Sequence, residues 1–161
     1  MRFDHPDART RILLDGAGHE LGRVHRTSWF GHKAELFTHG RIYLLETENF
    51  RSRIRLTYEG TPVLEVTFPW RGGVLVKDPA DPSAQWVVET ENVWRSSYRV
   101  KDATGQVLAT FRIGMDWSKF RSVVMLDADD AVLDRLPVHV LLTAVHAVNV
   151  KRSRQAAAAS T

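Results

Sequence analysis

The last apolar stretch, residues 136–150 (LPVHVLLTAVHAVNV), constrains what this chain can fold into more than any other feature. Pro137 suits the first turn of a helix, where its missing N–H would have no partner. Lys151, Arg152 and Arg154 follow at once and complement the negative end of a helix dipole. The pattern predicts a helix over about residues 136–152. Val138, Val140, Leu141, Leu142, Ala144, Val145, Ala147 and Val148 point in almost every direction around its axis, as in a helix buried on most sides. The stretch is shorter than the roughly 20 apolar residues that a bilayer span needs, and it carries His139, His146 and Asn149. A wrapping of protein is therefore expected, not one of lipid.

Most of what precedes this helix alternates as strands do. Ile54, Leu56 and Tyr58 oppose Arg53, Arg55 and Thr57, Leu64, Val66, Phe68 and Trp70 oppose Glu65 and Thr67, and Val107, Ala109, Phe111 and Ile113 oppose Leu108, Thr110 and Arg112. Reading all such segments gives about a dozen short strands, the spacing of a sandwich or barrel. The chain of 161 residues is read as one domain over residues 1–154, and the tail QAAAAST at 155–161 is expected to be disordered because it has nothing to pack with. Residues 77–84, with Pro79 and Pro82, read as a surface loop.

Turn motifs repeat along the chain. Asp102-Ala-Thr-Gly105-Gln-Val-Leu108 reads as a hairpin turn, and Asp15-Gly-Ala-Gly18-His-Glu-Leu21 has the same spacing. Asp127-Ala-Asp-Asp130-Ala-Val-Leu133 repeats it with Asp130 in the glycine position, and Tyr58-Glu-Gly60-Thr is a looser copy. A longer echo matches Tyr43-Leu-Leu-Glu46-Thr-Glu-Asn49 to Trp86-Val-Val-Glu89-Thr-Glu-Asn92, so the chain reads as two related halves built of hairpins.

A dozen antiparallel strands and one apolar helix have few packing solutions. A closed sheet around the helix removes the sheet edges and buries the helix on all sides. The fold expected is mainly β, an antiparallel barrel of about twelve strands enclosing a hydrophobic C-terminal α-helix. On these hairpins, echoing segments and final helix, the chain resembles the tubby C-terminal-like superfamily of tubby domains, phospholipid scramblases and LURP-one-related proteins, the last being closest in length. The resemblance implies a barrel of this kind around the final helix. It carries over no functional residue, because no segment matches the phosphoinositide-binding residues of tubby domains. The cysteine-rich segments of scramblases have no counterpart in a chain without cysteine.

Composition narrows the function classes. Without cysteine there is no disulfide, thiolate nucleophile or cysteine-based zinc site, and residues 1–11 lack the apolar core of a signal peptide, so a cytoplasmic location, with membrane association open, is expected. The net charge of +3 is a mild bias toward anions, short of a nucleic-acid footprint. No nucleophile elbow, phosphate loop or carboxylate pair points to catalysis, so neither a catalytic residue nor a cofactor is assigned. Gly16, Gly18 and Gly22 belong to a hairpin turn, not a phosphate loop.

Two groups of residues carry candidate sites. Arg51, Arg53 and Arg55 alternate along one strand, and with Arg99 and Lys101 from the echoing strand they form a candidate anion or headgroup patch; the alternative is a solvated face paired with Glu46, Glu48, Glu89 and Glu91. His139, Thr143 and His146 form a polar stripe on one helix face, either lining a cavity or simply capping strand carbonyls, and no metal is assigned to them. Trp29, Trp70, Trp86, Trp94 and Trp117 read as core and rim packing.

The leading expectation is a non-catalytic binding module for anionic phospholipid or phosphoinositide headgroups at a membrane surface, with the arginine strand as the contact. The alternatives are a lipocalin-like carrier of a small apolar ligand and a protein-interaction domain without ligand, so a protein partner is also open. No nucleic-acid partner is expected.

Overall fold

The computed structural model describes residues 1–28, 33–48, 53–69, 73–92, 94 and 96–159. Twelve strands follow one another as a meander in which each pairs antiparallel with the next. They are β1 (Arg2–Asp4), β2 (Thr10–Leu14), β3 (Glu20–Arg26), β4 (Lys33–Thr38), β5 (Arg41–Glu48) and β6 (Arg53–Tyr58). The series continues with β7 (Thr61–Thr67), β8 (Val74–Lys77), β9 (Gln85–Asn92), β10 (Ser97–Asp102), β11 (Val107–Asp116) and β12 (Arg121–Asp127). A 3-10 turn (Asp130–Asp134) then leads into α1 (Val138–Ala159). The sheet curls until its first strand lies beside its last. His5 Nε2 accepts the Val124 N–H at 3.0 Å, and the N-terminal amine donates to the Ala128 carbonyl at 3.2 Å. The result is a nearly closed antiparallel barrel.

Alternation along each strand puts one apolar row inside. The register links that row into a belt: Leu36 opposes Tyr43, Leu45 opposes Leu56, Ile54 opposes Val66, Val76 opposes Trp86, Val88 opposes Val100 and Ile113 opposes Val124. All of these side chains are buried. The belt closes on α1, where Val140 to Val148 are buried without a break. Nine consecutive buried residues turn through about two and a half helical turns, so that part of the helix meets protein on every side. The Tyr43 ring stacks on His139, and the Trp86 indole N–H donates to the Arg135 carbonyl at 3.0 Å just before the helix begins.

Hairpin turns confirm part of the repeat and revise the rest. At Asp15 and at Asp102 the carboxylate accepts the backbone N–H four residues on, and Gly18 and Gly105 take the positive φ that closes the turn. Glu59 and Gly60 both have positive φ (49° and 80°), the type I′ geometry whose twist suits a two-residue hairpin. His39 and Gly40 (50° and 70°) form another such turn, which has no counterpart in the repeated motif. The related hairpins β2–β3, β6–β7 and β10–β11 lie four strands apart in a barrel of twelve, so the echo is one of thirds and not of halves.

Several expectations need correction. Asp127 to Leu133 do not form a hairpin, since β12 is the last strand and the segment turns into a 3-10 helix that reverses the chain toward α1. Val107 is exposed because a bulge shifts the register between Val100 and Lys101 and takes it off the inner row. The helix continues to Ala159 where a disordered tail was expected from residue 155; a run of alanines, the strongest helix former, propagates a helix already nucleated by buried turns. Gly22 lies within β3, not in the turn, and the close packing there suits a glycine, since a Cβ would come within 2.7 Å of the Phe37 carbonyl oxygen and 3.1 Å of the Leu142 side chain. Among the described residues no helix is long and apolar enough to cross a membrane.

Two stability measurements check this architecture. Gly22→Ala should lower the unfolding free energy by about 1–3 kcal/mol in chemical denaturation, because α1 and β4 leave no room for the added methyl. A chain ending before Leu136 should lose cooperative thermal unfolding altogether, since the inner face of every strand would then open onto water.

Candidate functional site

The arginine row sits on the outer face, as its alternation predicts. Arg51 lies outside the described residues. Arg53 approaches Glu65 at 4.0 Å, while Arg55 reaches Glu48 at 2.8 Å and Glu65 at 3.4 Å. Arg99 pairs with Glu91, and Lys101 pairs with Glu89 at 2.5 Å. The pairing follows from register: Arg55 stands opposite Glu46 and Arg99 opposite Glu89, equivalent positions of the echoing segments. The Ser97 hydroxyl first, and then Arg99, hold the Glu91 carboxyl below its ordinary range. These cations therefore serve cross-strand pairs on a solvated face, and the two strands do not merge into one basic patch.

The helix stripe also divides. His139 stacks on Tyr43 with ring centroids 6.1 Å apart, and burial lowers its pKa, with His39 adding to the effect. His146 lies two turns further along and is fully enclosed. Neither its Nδ1 nor the Thr143 hydroxyl has a hydrogen-bond partner among the described residues. Burial first, and then Arg11 and Arg26, press the His146 pKa down to about 3. His5 is held at about 4, by burial first and then by Arg11 and Arg121. Among the described residues no group of three or more histidine and acidic side chains could hold a metal ion.

Topology gives the barrel two chemically different ends. In a meander, alternate links emerge at opposite ends. At one end lie the links 15–19, 39–40, 59–60, 78–84, 103–106 and 128–137, which contain Asp15, Glu59, Asp78, Asp81, Asp129, Asp130 and Asp134 and no Trp, Tyr or Phe. The other end carries the link between β9 and β10 and that between β11 and β12. The first of these links is tied to β11 where the Ile113 N–H donates to the Ser96 carbonyl at 3.1 Å. On them Trp94 is 97% exposed, Trp117 73% and Phe120 83%, so two of the five tryptophans are not the packing residues expected. Trp86 is core, and Trp29 and Trp70 lie outside the described residues. Phe120 is also held at φ 47°, a conformation that costs a non-glycine residue about 1 kcal/mol or more.

The basic end of α1 arrives at the same place. Lys151 donates to the Gly73 carbonyl at 3.0 Å, and the Arg154 guanidinium lies 4.7 Å over the Phe68 ring. Lys119 is exposed between Trp117 and Phe120. The aromatic end is thus flanked by cations and opposed, across the barrel, by carboxylates. No family model matches the chain, and neither a curated protein nor a solved structure does.

The buried histidine has a measurable consequence. An unfolded histidine takes up a proton near pH 6.5, whereas His146 stays neutral in the fold down to about pH 3. The unfolded state binds more protons between these values, so stability falls as pH drops through that window, by up to about 1.4 kcal/mol per pH unit for this one group. In phosphate-free buffer, denaturation between pH 6.5 and 4.5 should show this slope, and His146→Leu should flatten it by about that amount.

Proposed function

We propose that this protein is a non-catalytic binding module that docks on anionic phospholipid surfaces, and that its contact is the aromatic end of the barrel. The observation that carries this reading is the pair of neighbouring links bearing the exposed Trp94, Trp117 and Phe120, with Lys119 between two of the rings and with Lys151 and Arg152 of α1 bonded to the Gly73 and Ile113 carbonyls at the same end. Indole and phenyl rings gain most where one side is apolar and the other wet, which is the headgroup boundary of a bilayer. Each lysine or arginine near an anionic surface adds about 1 kcal/mol. The carboxylates at the far end orient the same approach by repulsion. The arginine strand is less suited to this role, since Arg53, Arg55, Arg99 and Lys101 are each already engaged by a glutamate.

The barrel with its terminal helix also supports extending the resemblance to the tubby-like group to this chain, again as a proposal, and a cytoplasmic, membrane-associated location accords with the docking reading. The carrier reading has less support, because α1 occupies the space in which an apolar ligand would lie.

Vesicle co-sedimentation tests the reading. The protein should pellet with vesicles containing phosphatidylserine, less at high salt, and not with vesicles of phosphatidylcholine alone. Trp117→Ser combined with Phe120→Ser should abolish binding, whereas Arg53→Glu with Arg55→Glu should retain it. Absence of binding to either vesicle would overturn the proposal and leave the aromatic end to a protein partner.

A further inference from the structure

Inside the aromatic end, the barrel wall carries cations that no carboxylate answers among the described residues. Arg11 sits two residues before Leu13 on β2, so both side chains point inward, and Arg11 is only 9% exposed. It stands opposite Val24, whose side chain is also in the core; two residues beyond Val24 on the same face comes Arg26. The two guanidiniums are diagonal neighbours on the inner wall.

The helix brings the rest of the cluster. Leu142 and Val138 pack over Gly22 of β3, and α1 runs in the same direction as that strand, from the acidic end to the aromatic end. His146 is one turn beyond Leu142, which puts it over the stretch of wall where Arg11 faces Val24. Thr143 lies on the same helix face. All four side chains offer buried hydrogen-bonding atoms without a partner: Arg11 Nε, Arg26 Nε, the Thr143 hydroxyl and His146 Nδ1. Arg26 spends one terminal nitrogen on the Ala8 carbonyl, at 2.6 Å. Among the described residues neither arginine is paired with an acid. The other charged group that acts on Arg11 is Arg26, and those that act on His146 are these same two arginines.

A buried guanidinium with a half-buried one beside it and polar atoms left unsatisfied is costly for a fold to hold, and an apolar residue at position 11 would cost less. The cost is offset where an oxyanion accepts from both guanidiniums, since such bonds are among the strongest in proteins and repulsion between the cations becomes shared attraction. We propose that Arg11, Arg26, Thr143 and His146 form an internal binding site for a phosphate-type oxyanion, either free phosphate or the phosphate of a lipid headgroup. The site is distinct from the outer docking surface, and its occupation is measured in solution without vesicles.

The test is calorimetric titration and thermal melting of the full chain with inorganic phosphate, with chloride at matched ionic strength, and with water-soluble dibutyryl phosphatidic acid. Phosphate or the phosphatidic acid should bind saturably and raise the melting temperature, and chloride should not. Binding of inorganic phosphate assigns the site to the free anion, and binding of phosphatidic acid alone assigns it to a headgroup. Arg11→Met should weaken binding by about tenfold or more, the loss of a charged hydrogen-bond partner, while melting no lower than the wild type without ligand. Arg53→Glu, on the outer face, should change neither. If neither phosphate ligand exceeds chloride, or if Arg11→Met binds as the wild type does, the site is a hydrated cluster and the proposal is wrong. The comparison of phosphate with chloride on the wild-type chain decides the matter even if Arg11→Met fails to fold.

Discussion

The burial of α1 by the inner face of the sheet is the interaction on which everything else depends. Hairpins alone are marginal in water, and a sheet of this length has two edges that invite aggregation. A helix apolar on all sides is equally unstable by itself. Each solves the other's problem: the strands curl until β1 meets β12, and Val140 to Val148 fill the lumen that closure creates. The fit is tight enough that Gly22 has no side chain where β3 passes Leu142 and Val138. With its interior committed to packing, the molecule has only its outer face, its two ends and a few inward polar groups left for recognition.

These remaining surfaces differ in how their charges are used. On the outer face, cations and carboxylates are matched across strands, as in Arg55 with Glu48 and Glu65, and pairs of this kind contribute little beyond solubility. At the ends the charges are separated along the barrel axis. The acidic end is built from turns whose aspartates fold back on their own backbone, as Asp15 and Asp102 do. At the aromatic end, large rings stand in solvent and Phe120 takes a left-handed backbone conformation. The inner wall near that end shows a third arrangement, with Arg11 and Arg26 lying near the neutral His146 and, among the described residues, no carboxylate paired with either arginine. The exposed rings and the cation cluster lie toward the same end of the barrel.

Much of the fold was legible because two periodicities do not overlap. Strand alternation marked Ile54, Leu56, Leu64, Val66, Phe111 and Ile113 as inward, and all are buried. The apolar residues of 138–148, spread almost all the way around the axis, marked a helix that had to be enclosed. The site was less legible. In Thr10-Arg-Ile-Leu-Leu14 apolar residues occupy both faces of the strand, so alternation could not tell that Arg11 points inward. The exposure of Trp94 and Trp117 was hidden because an aromatic near a strand end is usually packed, and only the direction of its link decides otherwise.

The chain by itself determined its elements: a dozen strands, tight turns at Asp-x-x-Gly and Glu-Gly, and one helix with only a narrow polar stripe. Those follow from local propensity and periodicity, which act over a few residues. Tertiary structure decided which of its charged and aromatic residues matter. The matching of Arg99 with Glu89 and Glu91, the gathering of Trp94, Trp117 and Phe120 at one end, and the placing of Arg11 and Arg26 beside His146 all depend on strand register and the order of links around the barrel. Register and order are set by contacts between residues far apart in sequence, and no local pattern carries them.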